Sequence, residues 1–172
     1  MKVVPLVLVA VMWNRCGIKP GEYQTYRIAQ GEVEMSDDCF APDGEDPNTA
    51  DDASTFFVPV TIALFSTGNG EFFLDTDDLL IQGVKEEGIF AFEGVETDVN
   101  YFGPDDASTT TSTTTVAVDV DLDGDAVSGT WSVASVVVCD GPDCGGTTDT
   151  SCTQSSPFVG SRIRGAEVER PL

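Results

Sequence analysis

Carboxylates dominate the groups in this chain that could do chemistry: thirty Asp and Glu stand against eight Lys and Arg, with five Cys and no His. Two clusters have spacing that suggests calcium. Asp119-Val120-Asp121-Leu122-Asp123-Gly124-Asp125 follows the D-x-D-x-D-G opening of a calcium-binding loop, in which alternate oxygens converge on one ion where a glycine lets the chain bend. Thr130 then stands at the twelfth position, where such a loop requires a bidentate Glu. Strict alternation with Val120 and Leu122 also turns Asp119, Asp121 and Asp123 out of one face of a strand, which predicts a solvated hairpin. Residues 36–54 hold seven more carboxylates, Asp37, Asp38, Asp43, Glu45, Asp46, Asp51 and Asp52. Of these, Asp37, Asp38, Asp43 and Asp46 are candidate ligands, because crowded carboxylates repel and a divalent cation relieves the repulsion. A solvated charged loop is the simpler reading of the same residues. Ca2+ is the one cofactor these residues bring into view, and none is required.

Other chemistry is largely excluded by what is missing. Without histidine there is no Ser-His-Asp triad, Cys-His pair or imidazole metal ligand. Paired carboxylates can act as glycosidase acid and base, but such sites put the acid in an apolar pocket beside aromatic platforms. Trp131 and three tyrosines make a thin platform. Neither a G-x-S-x-G elbow nor a P-loop occurs, and the expectation is a protein that is not an enzyme. The formal charge of −22 repels phosphate backbones, so nucleic acid is not an expected partner. Two ligand sites are conceivable. Arg162 and Arg164, two apart on one strand face, would either clamp an anion at a barrel mouth or pair with Glu22, Glu32 and Glu34 of the first strand. Phe90, Phe92 and Trp131, with Phe72, Val118 and Val133, would line an apolar cavity if one is present.

The N-terminus reads as an export signal. Lys2 supplies a positive start, Val3 to Trp13 form an apolar run, and Cys16-Gly17 follows. A run of that length is too short to span a bilayer, which takes about 20 apolar residues. A short signal ending at a cysteine resembles the N-terminus of bacterial lipoproteins. The resemblance implies that Cys16 is diacylated as the first mature residue, and that the protein partners the membrane through this anchor at the periplasmic or surface face of the envelope. Without the lipid, the same signal would give a secreted protein.

Setting Cys16 aside leaves Cys39, Cys139, Cys144 and Cys152, an even set suited to two disulfides in an oxidising compartment. Three pairings are open. The spacing weakly favours Cys144–Cys152, clipping one loop, with Cys39–Cys139 joining two others.

The elements that must position these groups are strands. Tyr23–Met35 reads as a first strand with a bulge at Gly31, and Thr55–Phe65 as a second, closed by the turn residues 66–70. Short strands follow at 72–74, 79–82 and 89–92, and Val95, Thr97, Val99 and Tyr101 alternate with polar residues in the next. Ala107–Thr115, ASTTTSTTT, has the β-branched content to begin the strand that continues through Val116–Leu122. Asp123-Gly124 marks a hairpin turn into a return strand over 126–139, a cysteine-bearing loop over 140–156 and a last strand from Phe158 to about Val168. No segment beyond the signal has helical periodicity.

The resulting expectation is an all-β antiparallel meander of about seven to eight strands. Up-and-down order favours a barrel, loosely similar to the lipocalin and calycin type, with a two-sheet sandwich as the alternative. The domain reading is a signal at 1–15, a tether at 16–21 and a single β domain at 22–172. The functional expectation is an exported, lipid-anchored, non-catalytic envelope protein contacting an unknown protein. A barrel for a small apolar ligand and a calcium-dependent adhesive module are the alternatives.

Overall fold

The computed structural model describes residues 17–39, 60–76, 79–144 and 150–165. These residues form nine strands and no α-helix. In chain order they are β1 (Tyr23–Gln30), β2 (Glu34–Met35), β3 (Thr61–Gly68), β4 (Glu71–Asp75), β5 (Leu80–Glu86), β6 (Ile89–Phe102), β7 (Ser108–Asp123), β8 (Ala126–Asp140) and β9 (Thr150–Arg162). Every pairing is antiparallel. β3 to β9 follow one another in sequence order, and β1 lies between β3 and β9, so eight strands close in a ring with β2 added beside β9. The meander is therefore one closed sheet and not a two-sheet sandwich.

Alternation decides what faces inward. Phe90 and Phe92 from β6, Val118 and Val120 from β7, Val127 and Trp131 from β8 and Phe158 from β9 meet Tyr26, Ile28, Ile62, Leu64, Leu74 and Ile81 in one apolar core. Glycines make room for the largest of these. A Cβ on Gly129 would lie 2.6 Å from the Phe158 ring, and one on Gly83 would lie 2.4 Å from the Phe92 ring, so each aromatic lies across bare backbone. Ile18 joins the core from below. Gly21 N–H donates to Ser66 O at 2.9 Å, and Pro20 bridges Ser66, so residues 18–21 lie across the lower end of the ring.

The ring is lopsided. β6, β7, β8 and β9 have 14, 16, 15 and 13 residues, whereas β3, β4 and β5 have 8, 5 and 7. The long strands rise above the core as a tall wall with a face on each side. Ala107–Thr115 lies within it: β7 begins at Ser108 and runs unbroken into Val116.

Several sequence boundaries need correction. Residues 89–92 and 95–101 belong to one strand, β6, because Gly94 stays in register opposite Val116. The last strand starts at Thr150 and ends at Arg162. Thr150–Ser156 looks like loop by composition, yet it pairs along β8 from Val137 to Trp131. The single first strand expected over Tyr23–Met35 is two, β1 and β2, separated at the expected bulge: Gln30 pairs with Phe158 and Glu34 with Ser155, so the β1–β2 side spends one extra residue around Gly31. Lys85 lies near the end of β5, with its ammonium 4.4 Å over the Phe90 ring. β3 begins at Thr61, and 55–59 lie outside the described residues.

The disulfides are Cys39–Cys152 and Cys139–Cys144, not the pairing the spacing favoured. The cause is the register of β9. Ser36 N–H donates to Thr153 O at 2.8 Å, and this docks the Ser36–Cys39 turn against β9 with Cys39 beside Cys152. Cys144 follows Gly141 and Pro142, which fold it back onto Cys139 at the top of β8. Two such bonds fit an oxidising, non-cytoplasmic compartment. Among the described residues, no helix is long and apolar enough to cross a membrane.

Candidate functional site

Three places gather the residues singled out by their chemistry: the lower mouth of the ring, its core and the tall wall.

At the lower mouth, alternation on β1 turns Gln24 and Tyr26 inward, where Glu22 and Arg162 meet them. The Tyr26 hydroxyl donates to Gln24 Oε1 at 2.6 Å, and Gln24 Nε2 donates to Glu22 Oε1 at 3.1 Å. Arg162 Nη2 donates to the same carboxylate oxygen at 3.1 Å. Burial alone would raise the Glu22 carboxyl. Hydrogen bonds from Arg162, the Lys19 backbone and Gln24 outweigh it, and the guanidinium charge adds to them, so the pKa lies below the ordinary 4.5. Arg164 lies in the turn beyond β9, not on the strand face with Arg162, and pairs with Asp125 of the β7–β8 turn. Both arginines nevertheless line one open hollow of about 380 Å³ with Tyr23, Asp125, Ile163 and Gly165. Each guanidinium there already has a carboxylate partner.

In the core, Phe90, Phe92 and Trp131 pack with Leu74, Ile81, Val118 and Phe158. Phe72 meets the Phe90 ring edge-on, with centroids 4.9 Å apart. A ligand taking their place would have to displace packed side chains.

Among the described residues, the metal candidates do not converge. Asp119, Asp121 and Asp123 are exposed along the outer face of β7, alternating with Val118, Val120 and Leu122, which face the core side. Asp37 and Asp38 belong to the 3₁₀ turn Asp37–Cys39, and Asp37 is exposed. Asp43 and Asp46, like Cys16, lie outside the described residues. No group of three metal-ligating side chains comes together among the described residues.

The tall wall is the feature that residue-by-residue reading missed. Registers across it put Val95, Thr97, Val99 and Tyr101 of β6 level with Thr115, Thr113, Thr111 and Thr109 of β7, and Ala134, Val136 and Val138 of β8 level with Thr115, Thr113 and Thr111. All face outward. Val95 is 62%, Val99 47%, Tyr101 65%, Val136 43% and Val138 40% exposed, a clustering of large apolar side chains in solvent on one face. The opposite face continues the inward side above the core and is polar on β6, with Glu96, Asp98 and Asn100 exposed. At its top, the Cys139–Cys144 bond and Phe102, Thr110, Val137, Asp143 and Thr150 surround a hollow of about 320 Å³. Ser108 holds this rim: its hydroxyl accepts from Asp143 N–H at 2.9 Å and donates to Asp143 Oδ2 at 3.1 Å. The alternation of Val95 to Tyr101 is legible in the sequence. That no second layer covers it among the described residues is not.

No family model, curated protein or solved structure matches this chain.

Proposed function

We propose that this chain is an exported, lipid-anchored, non-catalytic β-domain of the bacterial envelope whose role is to present an interaction surface. One contrast supports the reading. The groups best suited to chemistry are taken up by structure: Arg162 and Arg164 in ion pairs, Phe90, Phe92 and Trp131 in the core, four cysteines in disulfides. The outer face of the tall wall, by contrast, leaves Val95, Val99, Tyr101, Val136 and Val138 exposed among threonines. Position along the chain adds to the argument. Ile18 is packed into the lower end of the ring two residues after Cys16, so acyl chains on Cys16 would hold the lower mouth at the bilayer. The tall wall, whose longest strand spans roughly 50 Å at about 3.3 Å per residue, would then point away from it.

The test is the mass of the N-terminal peptide of the protein exported from a bacterial host. We expect Cys16 as the first residue, carrying a diacylglyceryl adduct. An unmodified Cys16 or another mature N-terminus overturns the anchor. The ligand-carrier reading has its own check in Trp131, whose emission stays unchanged when an apolar dye is titrated unless the core opens to admit it.

A further inference from the structure

We propose that the open edge of β6, from Glu93 to Phe102, receives an extended segment of a partner protein in which Lys or Arg alternates with apolar residues. The inference rests on the interaction role above and deepens it by specifying the partner's chemistry.

The first observation is an unfilled sheet edge. β5 pairs with β6 only from Gly83 opposite Phe92 to Glu86 opposite Ile89, whereas β7 accompanies β6 all the way to Phe102. Among the described residues, nothing pairs with the other side of Glu93–Phe102. Alternate residues there turn their N–H and C=O groups outward, a ready template for another strand. The second observation is that the far edge of the same wall is closed. β2 pairs with Ser155 and Gln154 of β9, Ser36 Oγ accepts from Thr153 N–H at 3.1 Å, and Cys39 is bonded to Cys152. One edge is sealed covalently, and its counterpart has no strand beside it among the described residues.

The chemistry of the open edge selects its occupant. On the outer face Val95, Thr97, Val99 and Tyr101 offer apolar neighbours, and on the inner face Glu96 and Asp98 are exposed carboxylates. A strand added beside β6 would put alternate side chains next to each set. A second copy of this chain would bring the same acids against each other and a further charge of −22, which opposes self-pairing. A segment with Lys or Arg on one face and Val, Thr or Tyr on the other matches both faces and is steered by the field of the whole molecule.

The experiment uses the intact chain with three short peptides. One alternates Lys with Val and Thr, one replaces Lys by Glu, and one is the Lys peptide with its alternate backbone nitrogens methylated. We expect the Lys peptide to bind and to slow hydrogen exchange at amides within Glu93–Phe102, and the other two to do neither. Paired substitution E96K/D98K, at exposed positions that leave the fold intact by circular dichroism, should weaken the Lys peptide roughly tenfold and admit the Glu peptide. Four outcomes overturn the proposal: no binding, equal binding of the methylated peptide, binding without protection of β6, or concentration-dependent protection of β6 without peptide, which would make a second copy the occupant. Acylation of Cys16 enters none of these readouts, so failure of the anchor and failure of the edge are told apart.

Discussion

Glu22 accepts hydrogen bonds from three groups that reach it from different directions: Arg162 across the ring seam, Gln24 two residues along β1 and the backbone of Lys19. Its pKa is held below the ordinary value of 4.5, so the folded state favours the ionised form. The stability this contributes is present above the unfolded pKa and is lost as pH falls through the lower, folded pKa. The other carboxylates titrate nearby, so the difference between wild type and Glu22→Gln isolates the effect. That difference, from urea midpoints, should be largest at neutral pH and shrink below pH ~4.5. A constant difference across that range would place the contribution in packing instead. Tyr26 closes the buried end of the same chain of hydrogen bonds. Tyr26→Phe leaves Gln24 Oε1 without this donor and should cost about 1 kcal/mol in a denaturant titration.

Strands carry their own constraint, which shows best at two glycines on the inner face. Gly129 has no space: an added Cβ would sit 2.0 Å from Asp119 O and 2.6 Å from the Phe158 ring. Gly94, also facing inward, would put a Cβ at an ordinary 3.5 Å from Ile81. Gly129→Ala should therefore destabilise by about 1–3 kcal/mol, since backbone and a buried ring must both move. Gly94→Ala should be neutral or stabilise by about 0.5 kcal/mol through reduced freedom of the unfolded chain. Thermal melts of the two variants decide the matter, and similar losses at both would contradict this account of the core. β6 holds the second element-scale lesson. It continues past its β5 partner, and its own alternation supplies an apolar outer face and an acidic inner one at the edge left open.

Across the whole molecule, the two disulfides act over very different spans. Cys39–Cys152 joins residues 113 apart, and Cys139–Cys144 joins residues 5 apart. Loop-closure entropy gives the first about 5 kcal/mol and the second about 2 kcal/mol. Cys39→Ser/Cys152→Ser should thus lower the melting temperature far more than Cys139→Ser/Cys144→Ser, and it should also speed exchange at the β2–β9 edge. Equal losses would mean that the long bridge closes a loop already ordered when unfolded. Net charge acts at the same scale. If the proposed signal at 1–15 is removed, Lys2 and Arg15 go with it and no acid does, so that form would be more acidic than the −22 of the full sequence. Screening that self-repulsion with salt should raise the melting temperature.

Period-two alternation over Val116–Leu122 and the Asp123-Gly124 turn were enough to determine an antiparallel β protein from the sequence alone. β-branched content was enough to make ASTTTSTTT the start of a strand, and the carboxylates of Asp119, Asp121 and Asp123 were already turned outward by the same period. These are local properties, set by the geometry of one strand and its turn. The polar stretch Thr150–Ser156 was illegible because its strand character comes from the ladder to β8 and not from its own composition. Disulfide partners, the pairing of Arg162 with Glu22 and the open edge of β6 depend on which distant segment lies alongside. Ring closure brings the first and last strands together and fixes how far each neighbour reaches, so only the tertiary structure decided which cysteines meet and which face of the wall is exposed.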